Sequence, residues 1–203
     1  MTSRPAPTAA PIHEIIRHRW SPRAFEDRAI EPEKLHLLFE AARWASSSNN
    51  AQPWYYIVAT KDDREGHRKI LDSFVEFNQS WAKNAPVLAI SVAKLTHDNG
   101  NPNRHAFHDV GAATTTLAIE AAALGLQVHQ MGGFLPEKAR HNFGIPEGYE
   151  AVAGMAIGYP GEASSLSEPL KQRENAPRSR KPLESFVFAD RWGEASPIVS
   201  SKS

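Results

Sequence analysis

Cysteine is absent from the 203 residues. Disulfides, thiolate zinc sites, cysteine-ligated iron–sulfur clusters and a cysteine nucleophile are therefore excluded. No run of about eighteen apolar residues occurs, so no membrane-spanning helix is expected. Neither sign of charge prevails: 23 Lys and Arg stand against 23 Asp and Glu, with an isoelectric point near 7.2. A global electrostatic grip on nucleic acid or an anionic membrane is not expected, which leaves room only for local basic clusters. Familiar catalytic motifs are missing too. There is no G-x-G-x-x-G dinucleotide fingerprint, no P-loop, no G-x-S-x-G elbow and no H-E-x-x-H zinc helix.

What is present suffices for a full-sized core. By surface scaling, a chain of 22.4 kDa buries roughly 70% of its extended surface on folding, and hydrophobic residues at 41% supply the material. The start, MTSRPAPTAAP, is rich in Pro, Ala and Thr and has no apolar h-region. It reads as a flexible tail over 1–11, not a signal peptide, and a soluble cytoplasmic protein is expected.

The pattern then alternates. Ile12, Ile15 and Ile16 give a short helix one apolar side. Glu31-Pro32 opens a second helix carrying Leu35, Leu38, Phe39 and Ala42 at helical spacing. WYYIVAT reads as a strand, Arg64 to Phe77 as a helical stretch, and Pro86 to Ala93 as a strand covered on both faces. Ala106 to Leu124 is the longest helix, closed by Gly125. QVHQMG is a short strand, PEKARHNF a Pro-initiated helix, and AVAGMAIGYP another covered strand. Strands alternating with helices make the class α/β or α+β. From about Gly161 the chain turns polar, ending in FVFADRW, which is an extra strand or an arm that packs on another subunit.

Four constellations could carry chemistry. Arg17, His18, Arg19, Ser21 and Arg23 are either a solvated basic helix end or a phosphate clamp, since guanidinium forks match phosphate oxygens. Ser46 to Trp54 (SSSNNAQPW) is either a connection built of Asx and ST turns or a ligand-facing loop. In the second case Asn50 and Gln52 offer donors and acceptors to a heterocycle. Arg178-Ser179-Arg180-Lys181 is solvated or converges with the first cluster on one phosphate. Gly132-Gly133-Phe134, between a strand and a helix, is a plain turn or a place where a flat ligand meets backbone N–H. His97, His105, His108 and Asp109 lack a third ligand at metal spacing, and no metal site is expected.

In order along the chain, these segments resemble the nitroreductase family of FMN-dependent oxidoreductases. The resemblance runs from about Ile12 to Trp192. It rests on R-x-S-x-R-x-F at Arg19, Ser21, Arg23 and Phe25, and on S-S-x-N-x-Q-P-W from Ser47 to Trp54. Asn78 ahead of Ala85-Pro86 follows, then Leu124-Gly125-Leu126, GGF, GIPEGYE, IGYP and RKPLESFVF. It implies an α+β sandwich, a mostly antiparallel sheet flanked by helices, in an intertwined homodimer. One domain would span 12–192, with 161–192 an arm exchanged onto the partner and 193–203 a flexible tail.

The resemblance also implies the site. Arg19, Ser21, Arg23, Arg178 and Arg180 would hold the FMN phosphate, and Trp20 would touch the ring through its backbone. Ser47, Ser48, Asn50 and Gln52 would contact the flavin from the dimer-facing side, and Asn78 its edge. Gly133 would offer N–H at flavin N5, beside Gly132. The implied reaction passes hydride from NADH or NADPH to an electron-poor small molecule such as a nitroaromatic or quinone, by a ping-pong route. No catalytic side chain is implied, because the flavin carries the chemistry. Two positions depart from many members: Gly132 replaces an acidic residue, and Trp81 falls near where some place a basic one.

Three alternatives remain open to these residues. An FMN carrier or sensor would bind flavin without NAD(P)H turnover. A flavin-fragmenting or dehalogenating relative typically adds a lid, and no large insertion stands between Asp98 and Asn103. A metal hydrolase would be built on His105 and His108.

Overall fold

The structure, a computed structural model, describes residues 3–199. The outermost parts of both expected tails, 1–2 and 200–203, lie outside the described residues. Its helices are α1 (Glu14–His18), α2 (Pro32–Arg43), α3 (Arg64–Asp72), α4 (Glu76–Ala82), α5 (Ala106–Ala123), α6 (Pro136–Phe143) and α7 (Glu168–Asn175). Its strands are β1 (Trp54–Thr60), β2 (Val87–Lys94), β3 (Gln127–Met131) and β4 (Tyr149–Gly158). The strands form one sheet in the order β1-β2-β4-β3, and every pairing is antiparallel. The class is α+β. No described helix is long and apolar enough to cross a membrane.

The central strand explains the layering. Val87 to Ala93 is buried throughout, and alternate residues point to opposite faces. Leu88, Ile90 and Val92 enter one core with Ile70 of α3, Phe74, Trp81 of α4 and Ala139 of α6. Val87 and Ala89 enter the other, with Leu38 and Ala42 of α2 and Ala113, Leu117 and Ala121 of α5. Helices α2 and α5 thus cover one face of the sheet, and α3, α4 and α6 the other. Proline in the first turn opens α2 and α6, as their sequences indicate. Gly125, at φ +78, follows the end of α5.

Two segments take a form the sequence reading left open. The stretch Arg64 to Phe77 is two helices, not one. Ser73 closes α3 by donating its hydroxyl to the Lys69 carbonyl (3.0 Å). Phe74 then leaves the helix, bridges to Phe134 and lies against Gly154, where an added Cβ would sit 2.5 Å from the ring. Burying that ring outweighs continuing the helix. The FVF segment adds no strand to the sheet of its own chain. Instead Leu183–Ser185 forms a 3₁₀ turn, and Phe188 bridges to Ala195 around a Trp192 that is 93% exposed.

The N-terminal segment is tied to the body over its first described residues. The Ala6 N–H donates to the Arg17 carbonyl (2.8 Å), and the Ser3 hydroxyl lies 3.0 Å from His18 Nδ1.

Candidate active site

The loop from Arg19 to Ala24 leaves α1 and packs along β3. Gln127, at the start of β3, holds it: its Oε1 accepts from the Trp20 N–H (3.0 Å), and its Nε2 donates to the His18 carbonyl (3.3 Å). Farther along, His129 Nδ1 donates to the Pro22 carbonyl (2.8 Å), while the imidazole packs at a tilt against Trp81, ring centres 4.6 Å apart. Burial first, opposed by that hydrogen bond, brings the His129 pKa down to about 4. The ring is therefore neutral, with its proton on Nδ1.

From the other side, α7 supplies Glu174, only 3% exposed. Its carboxylate accepts from the Arg23 N–H (3.0 and 3.1 Å) and the Ala24 N–H (3.4 Å), and lies 3.7 Å from the Arg23 guanidinium. Arg178 donates to the carbonyls of Arg17 (3.3 Å) and Arg19 (2.9 Å), and also to that of Arg4. These contacts bring the two basic clusters together. A cleft of about 160 Å³ opens between them, walled by Arg4, Arg19, Arg23, Arg173, Arg178 and Arg180, with Ser21, Trp20 and Glu174.

Charge in this cleft is one-sided. Glu174 is the one carboxylate on its wall, and its oxygens are engaged by Arg23 and two backbone amides. Among the described residues, Arg19, Arg178 and Arg180 make no ion pair. Burial, with Arg180 beside it, holds Arg19 below the usual guanidinium range. Burial together with Arg19, Arg180 and Arg4 does the same to Arg178. Nε of Arg23 is buried without a partner. Such a cluster is under mutual repulsion that an anion relieves.

A second group begins at α4, which the cleft wall touches where Arg173 lies 4.8 Å from the Phe77 ring. The next residue, Asn78, donates from Nδ2 to the Gly133 carbonyl (2.8 Å), which also accepts from the Val75 N–H (3.1 Å). An added Cβ at Gly133 would stand 2.6 Å from Asn78 Nδ2 and 3.1 Å from Val75 Cγ2, so the close approach requires glycine. The Gly133 N–H donates to none of the described residues. At Gly132 an added Cβ would meet nothing within 4 Å. Trp81, at the departing position, is fully buried with its indole N–H unpartnered.

The polar loop stands apart. It leads into β1, one edge of the sheet, whereas Gly132-Gly133 follows β3, the other edge. Three inter-strand steps of roughly 4.8 Å separate those edges. Asn49, Asn50 and Gln52 all hold left-handed backbone, at φ 52, 54 and 46. Asn tolerates this region; Gln does so rarely. The Gln52 N–H donates to Ser47 Oγ (3.0 Å) and the Ser48 N–H to Asp109 Oδ2 (3.1 Å). One chain thus unites Arg19, Trp20, Ser21, Arg23, Arg178 and Arg180 on one cleft, with Asn78 and Gly133 paired beside the Phe77 that its Arg173 touches, and Gly132 next to Gly133 in sequence. It does not bring Ser47, Ser48, Asn50 and Gln52 to them.

Sequence reasoning did not single out Gln127, Glu174 or Arg4, and it weighed Asp109 only as a metal ligand. Buried Asp109 instead anchors the polar loop, with His108 at 3.2 Å. No three His, Cys, Asp or Glu among the described residues are placed to share a metal.

Against known proteins, a family model described as the nitroreductase family matches residues 16–80 and 66–159. A protein of Archaeoglobus fulgidus with the provisional name NADH dehydrogenase/NAD(P)H nitroreductase is 28% identical over 159 residues. That match spans 76% of this chain and 88% of the relative. Among solved structures, one described as an oxidoreductase containing FMN is 34% identical with a TM-score of 0.87, covering 95% of this chain and 98% of its own. A nitroreductase family protein of Clostridium difficile is 25% identical with a TM-score of 0.68, covering 87% and 96%.

Proposed function

The chain belongs to the nitroreductase family, and on that premise we propose that it is an FMN-dependent NAD(P)H oxidoreductase of the cytoplasm, acting as a homodimer on an electron-poor small molecule such as a nitroaromatic or quinone. The observation that carries the reading is the arginine cleft without free counter-carboxylates, with the Gly133 N–H, unpartnered among the described residues, beyond the neighbouring Phe77 and Asn78.

The residues fit the cofactor. A dianionic phosphate would relieve the repulsion among Arg19, Arg178 and Arg180 and give the orphaned Arg23 Nε–H an acceptor nearby. Ser21 would add its hydroxyl, already 3.3 Å from Arg19. Toward the ring, Asn78 has committed one amide N–H to Gly133 and keeps Oδ1 to accept from a flavin edge, while Gly133 keeps its N–H to donate. The Trp20 N–H is taken by Gln127, so a ring contact through its backbone would fall to the carbonyl.

FMN held by these residues would supply hydride-transfer chemistry between NADH or NADPH and the acceptor, in two half-reactions sharing one site. This chain's part is to bind, orient and leave room. Open space at Gly132 keeps the region beside Gly133 clear for a flat donor or acceptor. The positive charge of Arg173 and its neighbours would favour an anionic cofactor over a neutral one. No side chain is asked to act as acid or base. Because Ser47, Ser48, Asn50 and Gln52 lie at the far edge of the sheet, we assign them to the partner's flavin. The exposed Leu183, Phe186 and Trp192 we assign to an arm exchanged across the dimer.

Steady-state kinetics test this. With FMN-loaded protein, varying NAD(P)H at several fixed concentrations of a quinone should give parallel double-reciprocal lines. Intersecting lines would exclude the ping-pong order. Failure to oxidise NADH or NADPH with any acceptor would overturn the reading, and flavin retained under that failure would make the protein a carrier.

A further inference from the structure

The first basic motif and the late basic segment account for five residues of the cleft and α7 adds Arg173, but its wall contains one more cation that none of these supplies. Arg4 comes from the proline-rich N-terminal segment, and it is fixed at both ends. Its carbonyl accepts from the Arg178 guanidinium, and its own guanidinium donates to the Ala176 carbonyl (2.8 Å) while lying 5.4 Å from the centre of the Trp20 ring. The flanking Ala6 and Ser3 are tied to Arg17 and His18. Arg4 therefore faces the same cleft as Arg19, Arg178 and Arg180, and it adds positive charge where three guanidinium groups already lack carboxylate partners. Spending backbone order on a cation that worsens this repulsion makes physical sense when an anion sits among them.

We propose that Arg4 is a phosphate-binding residue, and that the N-terminal segment over residues 3–8 is a strap across the phosphate end of the cofactor site that discriminates FMN from unphosphorylated flavin. The inference rests on the FMN reading and extends it to a segment outside the family's motifs. Cation–π contact with Trp20 and the bond to Ala176 preset the guanidinium, so little side-chain freedom is lost on binding.

The test compares FMN with riboflavin, which has the same ring and lacks the phosphate. Flavin fluorescence titrations of the full-length apoprotein are run on the wild type, Arg4→Gln and Arg4→Lys. The glutamine variant should bind FMN roughly tenfold more weakly, the scale of one lost charge-assisted hydrogen bond. Its riboflavin affinity should be unchanged, and lysine should recover part of the loss. Inorganic phosphate should raise the melting temperature of the wild-type apoprotein more than that of Arg4→Gln. Unchanged FMN affinity in Arg4→Gln would overturn the proposal and leave the FMN reading standing. Equal losses for FMN and riboflavin would also overturn it, by making Arg4 a packing residue against Trp20. A wild type that binds neither flavin would remove the FMN reading itself, and the proposal with it.

Discussion

Gly132 and Gly133 are adjacent and look alike in sequence, yet they do opposite things. At Gly133 the Asn78 amide and Val75 leave no room for a methyl group, whereas Gly132 faces open space. Gly133→Ala should therefore cost about 1–3 kcal/mol in urea unfolding and weaken FMN binding, because Asn78 must move. Gly132→Ala should stay within about 0.5 kcal/mol of wild type. His129 makes a second residue-scale prediction. Its folded pKa of about 4 lies below the unfolded 6.5, so the unfolded chain takes up a proton first as pH falls. Its stabilising contribution is complete above about pH 6.5 and is lost progressively toward pH 4. At pH 5 the loss should be about 2 kcal/mol relative to pH 8, and His67, also lowered by burial, adds in the same direction. Urea midpoints across that range check it, with a shallower pH slope expected for His129→Gln.

At the scale of elements, legibility followed hydrophobic periodicity. Helices α2, α5 and α6 showed themselves through apolar spacing and Pro or Gly punctuation, and β2 through an unbroken apolar run. The last helix, α7, did not: among its eight residues only Leu170 and Glu174 are buried, so no apolar face marks it. Ser167 and Pro169 at its start were the available signal. Yet α7 delivers the carboxylate that fixes the Arg23–Ala24 backbone. Glu174→Ala should cost about 3 kcal/mol by leaving the buried Ala24 amide, the part-buried Arg23 amide and the Arg23 guanidinium unpaired, and should weaken FMN binding with it; chemical denaturation and flavin titration check both. The break between α3 and α4 was hidden for a different reason. Its cause is the distant pairing of Phe74 with Phe134 and Gly154, which no local window contains. In the polar loop, the residue types announced hydrogen bonding, but the left-handed backbone at Gln52 arises from the hold of Ser47 on its N–H. Gln127 escaped notice as one polar residue opening an otherwise ordinary strand.

For the whole molecule, the second copy proposed above has exposed surface to cover. The chain exposes 12017 Å², against roughly 9,400 Å² expected for a compact monomer of its mass. Much of the C-terminal apolar surface lies bare: Leu183, Phe186, Trp192 and Ile198 are between 49% and 93% exposed. Light scattering on the eluting protein should give twice the 22.4 kDa chain mass. Removal of residues 183–203 should give a monomer that no longer retains FMN, since the polar loop would lose its partner site. A monomeric full-length protein would separate the loop from the cofactor and break that part of the account.

The claim on which the rest depends is that this arginine cleft and glycine turn hold a flavin that NAD(P)H can reduce. The visible absorbance spectrum of the purified protein, taken before and after anaerobic addition of NADPH and then NADH, tests it directly. A yellow protein whose flavin band bleaches with at least one donor is the predicted result. A colourless protein that also refuses added FMN would contradict it.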